Sequence, residues 1–129
     1  MQILTFVLNS QPYAIDITLV DTIEDKMPIT PVPKSKRYVA GLISNRGSVI
    51  PVIDTDMFMN GSDRKSIFEK FIIINMGDEK LALAVDDIDD VLDVNPEDIQ
   101  PLDFDDSVSI VNVNATIITL LTDKQLTKI

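Results

Sequence analysis

No cysteine, histidine or tryptophan occurs among the 129 residues, and each absence removes a class of chemistry. Without cysteine there are no disulfides and no thiol nucleophile. Without histidine the commonest general base is missing, and so is any phosphohistidine relay on this chain. Transition-metal sites built on imidazole or thiolate are excluded with them, so neither a metal site nor a cofactor is expected. Only four glycines are present, and neither a Walker-type loop nor a GxGxxG loop can be written from them. No apolar run approaches the roughly 20 residues of a membrane helix, and the first residues lack the basic and apolar regions of a signal peptide. The expectation is a cytoplasmic protein with no direct membrane insertion and no enzymatic activity. Two Asn-x-Ser/Thr matches, Asn60-Gly61-Ser62 and Asn114-Ala115-Thr116, carry no meaning without secretion.

Positive charge is also scarce. Eleven Lys and Arg face 21 Asp and Glu, for a net charge of −10, which argues against a nucleic-acid binder. Lys34, Lys36, Arg37 and Arg46 stand close together, whereas Leu81 to Asp123 holds no basic residue. One mildly basic pole on an acidic molecule can steer an acidic partner, or it can be a plain solvated face.

What is present reads as strand. Apolar residues make up 45% of the chain, enough for the core of a single domain of this length. Gln2 to Leu8 alternates, as does Tyr13-Ala14-Ile15-Asp16-Ile17 after Pro12. Further β-branched runs occupy Val39–Ser44, Ser48–Ile53, Phe71–Met76, Leu81–Val85, Val108–Val113 and Ala115–Leu121. Pro28, Pro31 and Pro33 mark a connection in which helix is disfavoured. Thr122–Ile129 suits one short helix. The fold class is mainly β.

These runs repeat at a fixed offset of 68 residues. Leu4, Phe6 and Leu8 fall on Ile72, Ile74 and Met76, and Val20-Asp21-Thr22-Ile23 falls on Ile88-Asp89-Asp90-Val91. Gly47 to Ile53 meets Ala115 to Leu121 with no gap. The chain is therefore a duplication, best read as one domain over residues 1–129. Its expected parts are two pseudo-symmetric five-stranded β-barrel subdomains, at about 10–65 and 70–120, sharing a hydrophobic seam, with the N-terminal strand and the C-terminal segment free to cross between them. The polar stretch Asn60–Lys70 is the expected link.

Function should lie where the two copies differ. The first carries Ser44-Asn45-Arg46-Gly47 between two strands, the second Asn112-Val113-Asn114-Ala115. Glycine tolerates φ > 0 where alanine does not, so only the first hairpin is expected to make a tight turn. Arg46 at such a tip offers a five-donor fork to a carboxylate or to carbonyl groups. It serves either a partner or an intramolecular salt bridge, for instance to an Asp of Ile88–Asp93.

The run Val39-Ala40-Gly41-Leu42-Ile43-Ser44-Asn45-Arg46-Gly47-Ser48-Val49-Ile50-Pro51-Val52-Ile53-Asp54 resembles the signature of the CheW-like domain family of chemotaxis coupling proteins. Leu4–Ile23 and Leu83–Leu92 resemble that family's opening and middle. The resemblance implies SH3-like barrels and an adaptor that couples methyl-accepting chemoreceptor cytoplasmic tips to the regulatory domain of a histidine kinase, recruited to membrane-associated receptor arrays. It implies receptor contacts at Val20, Asn45, Arg46 and Gly47, in a groove between barrels, and kinase contacts at Met27, Ile29 and Val32. The chain departs from the family at Thr22, where a Glu that can pair with the motif arginine often stands, with Glu24 on the same strand face as its possible substitute. It departs again at Thr55-Asp56, where a Leu-Arg pair is common.

Three other readings are weighed against this one. The chain can be the CheW-like regulatory part of a larger kinase or of a receiver-linked coupling protein. A carboxylate-based hydrolase would need Asp54 and Asp56 as a pair, on one strand face only if the strand continues past Asp54. Asp86 to Asp93 is rich in carboxylates, but Ile88 and Val91 break the alternation of a calcium loop, so a solubilising face is expected there.

Overall fold

The computed structural model describes residues 1–62, 68–102 and 105–129. Residues 63–67 of the expected link lie outside the described residues. Strands dominate, as the period-2 runs require: β1 (Gln2–Leu8), β2 (Gln11–Asp16), β3 (Val20–Asp25), β4 (Val39–Asn45) and β5 (Ser48–Asp54) precede a short helix α1 (Thr55–Asn60). They are followed by β6 (Lys70–Met76), β7 (Glu79–Val85), β8 (Asp87–Asp93), β9 (Ile99–Leu102), β10 (Asp105–Val113) and β11 (Thr116–Leu121), and by α2 (Asp123–Leu126). Thr122 caps α2 by accepting from the Gln125 backbone N–H, which confirms the expected C-terminal helix. α1 is not expected from periodicity. Its N-cap Asp54 accepts from Met57 N–H, and Gly61 at φ 62 closes it in the left-handed conformation.

The chain forms two sheets, ordered β8-β1-β2-β11-β10-β9 and β3-β6-β7-β5-β4. Shifting by 68 residues carries β3 onto β8, β1 onto β6, β2 onto β7, β4 onto β10 and β5 onto β11, so the second order reproduces the first. Register is conserved as well as order. Asn45↔Ser48 and Gly41↔Val52 map onto Val113↔Thr116 and Ser109↔Leu120, and the parallel pair Val52↔Ala82 maps onto Leu120↔Ala14. The sheets differ in size, five strands against six, because β9 adds to the edge of β10.

The two compact units interleave the repeats. Residues 1–19 and 88–129 form one unit and 20–87 the other, a different division from the expected 10–65 and 70–120. The reason lies in pairing. After its first hairpin each repeat enters the other sheet, so β1 and β2 pair with strands of the second repeat, while β6 and β7 pair with strands of the first.

Each unit has its own core. In the 20–87 unit, Ile43, Ile50, Val52, Phe71, Ile73, Ala82 and Ala84 converge, with Met27, Ile29, Ala40 and Phe68 packed against them. In the other, Ile3, Ala14, Val94, Val111, Ile118 and Leu120 do so. Burying such side chains stabilises by about 1.5–3 kcal/mol each. β1 and β6 hold runs of four buried residues, Ile3–Phe6 and Phe71–Ile74, and are thus covered on both faces. β8 carries the acidic stretch as an edge strand, with Asp87, Asp89, Asp90 and Asp93 exposed and Ile88 and Leu92 half-buried. Charges there blunt the edge against further strand pairing.

Candidate functional site

The site starts from a turn. Asn45 and Ser48 close the β4–β5 hairpin, and the two residues between them have positive φ, 51° at Arg46 and 81° at Gly47. Two-residue turns of this kind match the right-handed twist of the strands but need φ > 0 at both positions. Glycine meets that freely, and a left-handed arginine at roughly 1–2 kcal/mol. The turn thus fixes the Arg46 backbone at the tip of a rigid hairpin. Its counterpart corrects the expectation of a looser second turn: Asn114 and Ala115 also have positive φ, 51° and 66°. The ladder β10–β11, in the same register, imposes the turn despite the alanine.

Arg46 reaches back to Glu24 on β3, with Nη2 3.4 Å from Oε1; the arginine side chain is 73% exposed and the glutamate 21%. The Thr22 hydroxyl donates to the same Oε1 at 3.2 Å. β3 and β4 are opposite edges of their sheet, so this pair requires the sheet to curl until its edges approach. Glu24 thus meets Arg46 on one side and accepts from Thr22 on the other. Of the expected receptor-contact residues, Asn45, Arg46 and Gly47 share this turn, while Val20 begins β3, half-buried and paired with Ile74. The intramolecular salt bridge that Arg46 makes is to Glu24.

Exposed ion pairs flank the acid on β3 and just beyond it. Lys70 hydrogen-bonds Asp25, Lys80 lies 2.8 Å from Asp21 and Lys26 3.4 Å from Glu69. The hydrogen bond and charge of Lys70 hold the Asp25 carboxyl below its ordinary value, and Asp25 in turn raises Lys70.

Met27, Ile29 and Val32 lie in the irregular segment between β3 and β4, which the prolines keep out of a full ladder. It touches β4 through one bridge, Thr30 N–H to Leu42 O at 2.9 Å and Leu42 N–H to Thr30 O at 2.8 Å. Gly41 makes this docking possible. Its φ is 150°, and a Cβ there would stand 2.3 Å from the Thr30 carbonyl oxygen. Met27 and Ile29 are half-buried on the core, and Val32 is half-buried. A cavity of about 420 Å³ opens beside them, lined by Met27, Pro28, Thr30, Leu42 and Val49 among others. Val49 is 69% exposed. Sequence reading misses it, since alternation marks a face without saying which face is wet.

Asp54 and Asp56 do not form a dyad. The strand ends at Asp54, which caps α1, and Asp56 accepts from Asn60 Nδ2 at 2.8 Å. Both are buried in structural roles. Among the described residues no group of three or more Asp or Glu could hold a metal ion, and no helix is long and apolar enough to cross a membrane.

Comparison with known proteins places this geometry. Residues 2–127 match the CheW-like domain. The chain is 31% identical over 91 residues to a chemotaxis protein CheW of Thermotoga maritima, an alignment covering 70% of this chain and 60% of that protein. It is 34% identical over 100 residues to one of Bacillus subtilis, covering 77% and 64%. The chain thus spans less than two-thirds of the length of these relatives. The crystal structure of the scaffolding protein TtCheW from Thermoanaerobacter tengcongensis superposes with a TM-score of 0.83 at 27% identity, over 94% of this chain and 83% of that one.

Proposed function

This chain belongs to the CheW-like domain family, a family of scaffolds rather than enzymes, and from that premise we propose that it couples chemoreceptor cytoplasmic tips to the regulatory domain of a histidine kinase. One observation carries the reading: an arginine fixed at the tip of a rigid turn, 73% exposed, and braced on one side by Glu24. A single contact at 3.4 Å leaves most of the guanidinium fork facing outward, where it can take a carboxylate or helix-end carbonyls of a receptor tip. Asn45, Gly47 and Val20 belong to the same contact. Met27, Ile29 and Val32, with the cavity beside them, form the kinase-binding edge. The protein works in the cytoplasm and is drawn to membrane-bound arrays through its partners.

Titration calorimetry with a receptor cytoplasmic fragment and a kinase regulatory domain tests this. Wild type binds both. Arg46→Ala loses about tenfold or more in receptor affinity, as a central arginine contact implies, and keeps kinase binding and its fold. A well-folded wild type that binds neither partner overturns the proposal.

A further inference from the structure

We infer that a cleft between β5 and β7 is a docking site for a protein partner that presents an arginine beside an apolar residue. The inference concerns the 20–87 unit alone and does not rest on the coupling role.

The cleft begins with one missing N–H. β5 and β7 run parallel and pair at Val52↔Ala82, Ile53↔Leu83 and Asp54↔Ala84. Their repeat counterparts, β11 and β2, pair one step earlier, at Thr119↔Tyr13. Under the 68-residue offset that pair corresponds to Pro51 and Leu81. Proline has no N–H to give a ladder, so in this unit the pairing starts only at Val52. A cavity of about 440 Å³ lies where the strands are not joined. It is lined by Ser48, Val49 and Pro51 of β5 and by Asp78, Glu79 and Lys80 around the start of β7. Its size falls in the range of ligand pockets. It lies on the β7 side of Val49, whereas the cavity beside Met27 lies on the β4 side.

Charge and exposure say what fits. Lys80 is engaged by Asp21 on β3, 2.8 Å away. Asp78 and Glu79 are exposed, and among the described residues no ion pair engages either. The cleft thus joins two uncompensated carboxylates to an apolar wall of Pro51 and Val49, the latter 69% exposed. An arginine answers both features, its stem lying along the wall and its planar fork donating to carboxylate. The net charge of −10 draws such a cation from a distance. An apolar neighbour of the arginine covers Val49, which a free amino acid would leave wet, so the occupant is a protein surface. The other repeat serves as a control. At the same corner it has a closed pair, and Ser10-Gln11-Pro12 stands in place of Asp78-Glu79-Lys80.

Amide chemical shifts of the full chain, titrated with the capped tripeptide Leu-Arg-Leu, test this. Expected are saturable shifts centred on Val49 and Glu79, with a Kd on the order of millimolar. They should fade at about 1 M salt, where the screening length falls to about 3 Å. Capped Leu-Gln-Leu should shift nothing, and capped arginine alone should bind about threefold more weakly, since it leaves Val49 uncovered. Asp78→Asn with Glu79→Gln should weaken the tripeptide by about fivefold.

Pro51→Thr separates the cleft from its charge. It restores the N–H that Thr119 has, closes the ladder, and should abolish binding although both acids remain. A chain with this substitution that gains a protected amide at position 51 yet binds as before overturns the inference. No saturable shift, equal binding of the two tripeptides, or shifts centred on the aspartates of β8 would also overturn it. So would equally tight binding of capped arginine, which would make the occupant a small molecule.

Discussion

Backbone conformation at single residues sets both what Arg46 can do and what it costs. The turns at Arg46-Gly47 and Asn114-Ala115 share one geometry, yet only the first has glycine at its second position. Alanine at φ 66° is strained, and replacing it by glycine relieves more than the extra freedom glycine gives the unfolded chain. Ala115→Gly is therefore expected to stabilise by up to about 1 kcal/mol and raise Tm by roughly 3–5 °C, read by differential scanning calorimetry. An unchanged or lowered Tm would mean that the strain is absorbed elsewhere. Gly41 runs the opposite way. A Cβ 2.3 Å from a backbone oxygen must push the 28–33 segment off β4, so Gly41→Ala should cost about 1–3 kcal/mol and weaken kinase binding while sparing receptor binding. Equal loss of both affinities would show that the segment does not act alone. Glu24 is the third such residue. Because Arg46 is largely exposed, the pair adds only about 0.2–1 kcal/mol to stability. Glu24→Gln should lower receptor affinity with little change in Tm, and less additively with Arg46→Ala than two independent changes would.

At the scale of elements, β3 adds exposed ion pairs, Asp25–Lys70 and Asp21–Lys80, to its ladder with β6. Its Asp25–Lys70 pair is linked to pH through two shifted groups. The lowered Asp25 contributes stability that is present above its ordinary 3.8 and lost as pH falls through its folded-state value. The raised Lys70 contributes below its ordinary 10.5 and loses that as pH rises past its folded-state value. Urea midpoints of wild type and Lys70→Gln should thus differ most near neutral pH and converge at both extremes; a constant gap would assign the effect to packing by the lysine stem. Much at this scale is legible in sequence. The runs at Val39–Ser44, Ser48–Ile53 and Phe71–Met76 announce β4, β5 and β6 because their burial alternates or is continuous. α1 is missed because Asp54 and Gly61 signal its caps with only six residues between them, too few to establish a helical period. β8 is hidden by its aspartates, which an edge strand can carry and a central strand cannot. The Asn-Arg-Gly turn and its arginine are legible, whereas the choice of Glu24 as partner depends on how far the sheet curls, which no local pattern encodes.

For the whole molecule, interleaving makes a mechanical demand that the sequence period alone conceals. A fixed offset says that two copies exist; it does not say that each sheet draws strands from both. Because β2 and β3 are consecutive in the chain yet belong to different units, and β7 and β8 likewise, the chain crosses between units twice, and unfolding one unit pulls on both connections of the other. The two units should therefore melt together. Ile50 and Ile118 are repeat-related and 2% and 5% exposed, one in the core of each unit, so truncating either to alanine removes similar contacts and costs about 2–5 kcal/mol. If unfolding is concerted, Ile50→Ala and Ile118→Ala each lower one shared calorimetric transition, with van't Hoff and calorimetric enthalpies in agreement. If the units are independent, each substitution shifts only half of the heat absorption and leaves a second peak at the wild-type temperature. The second result would mean that each sheet survives loss of the other. The first would mean that neither sheet stays folded without the other.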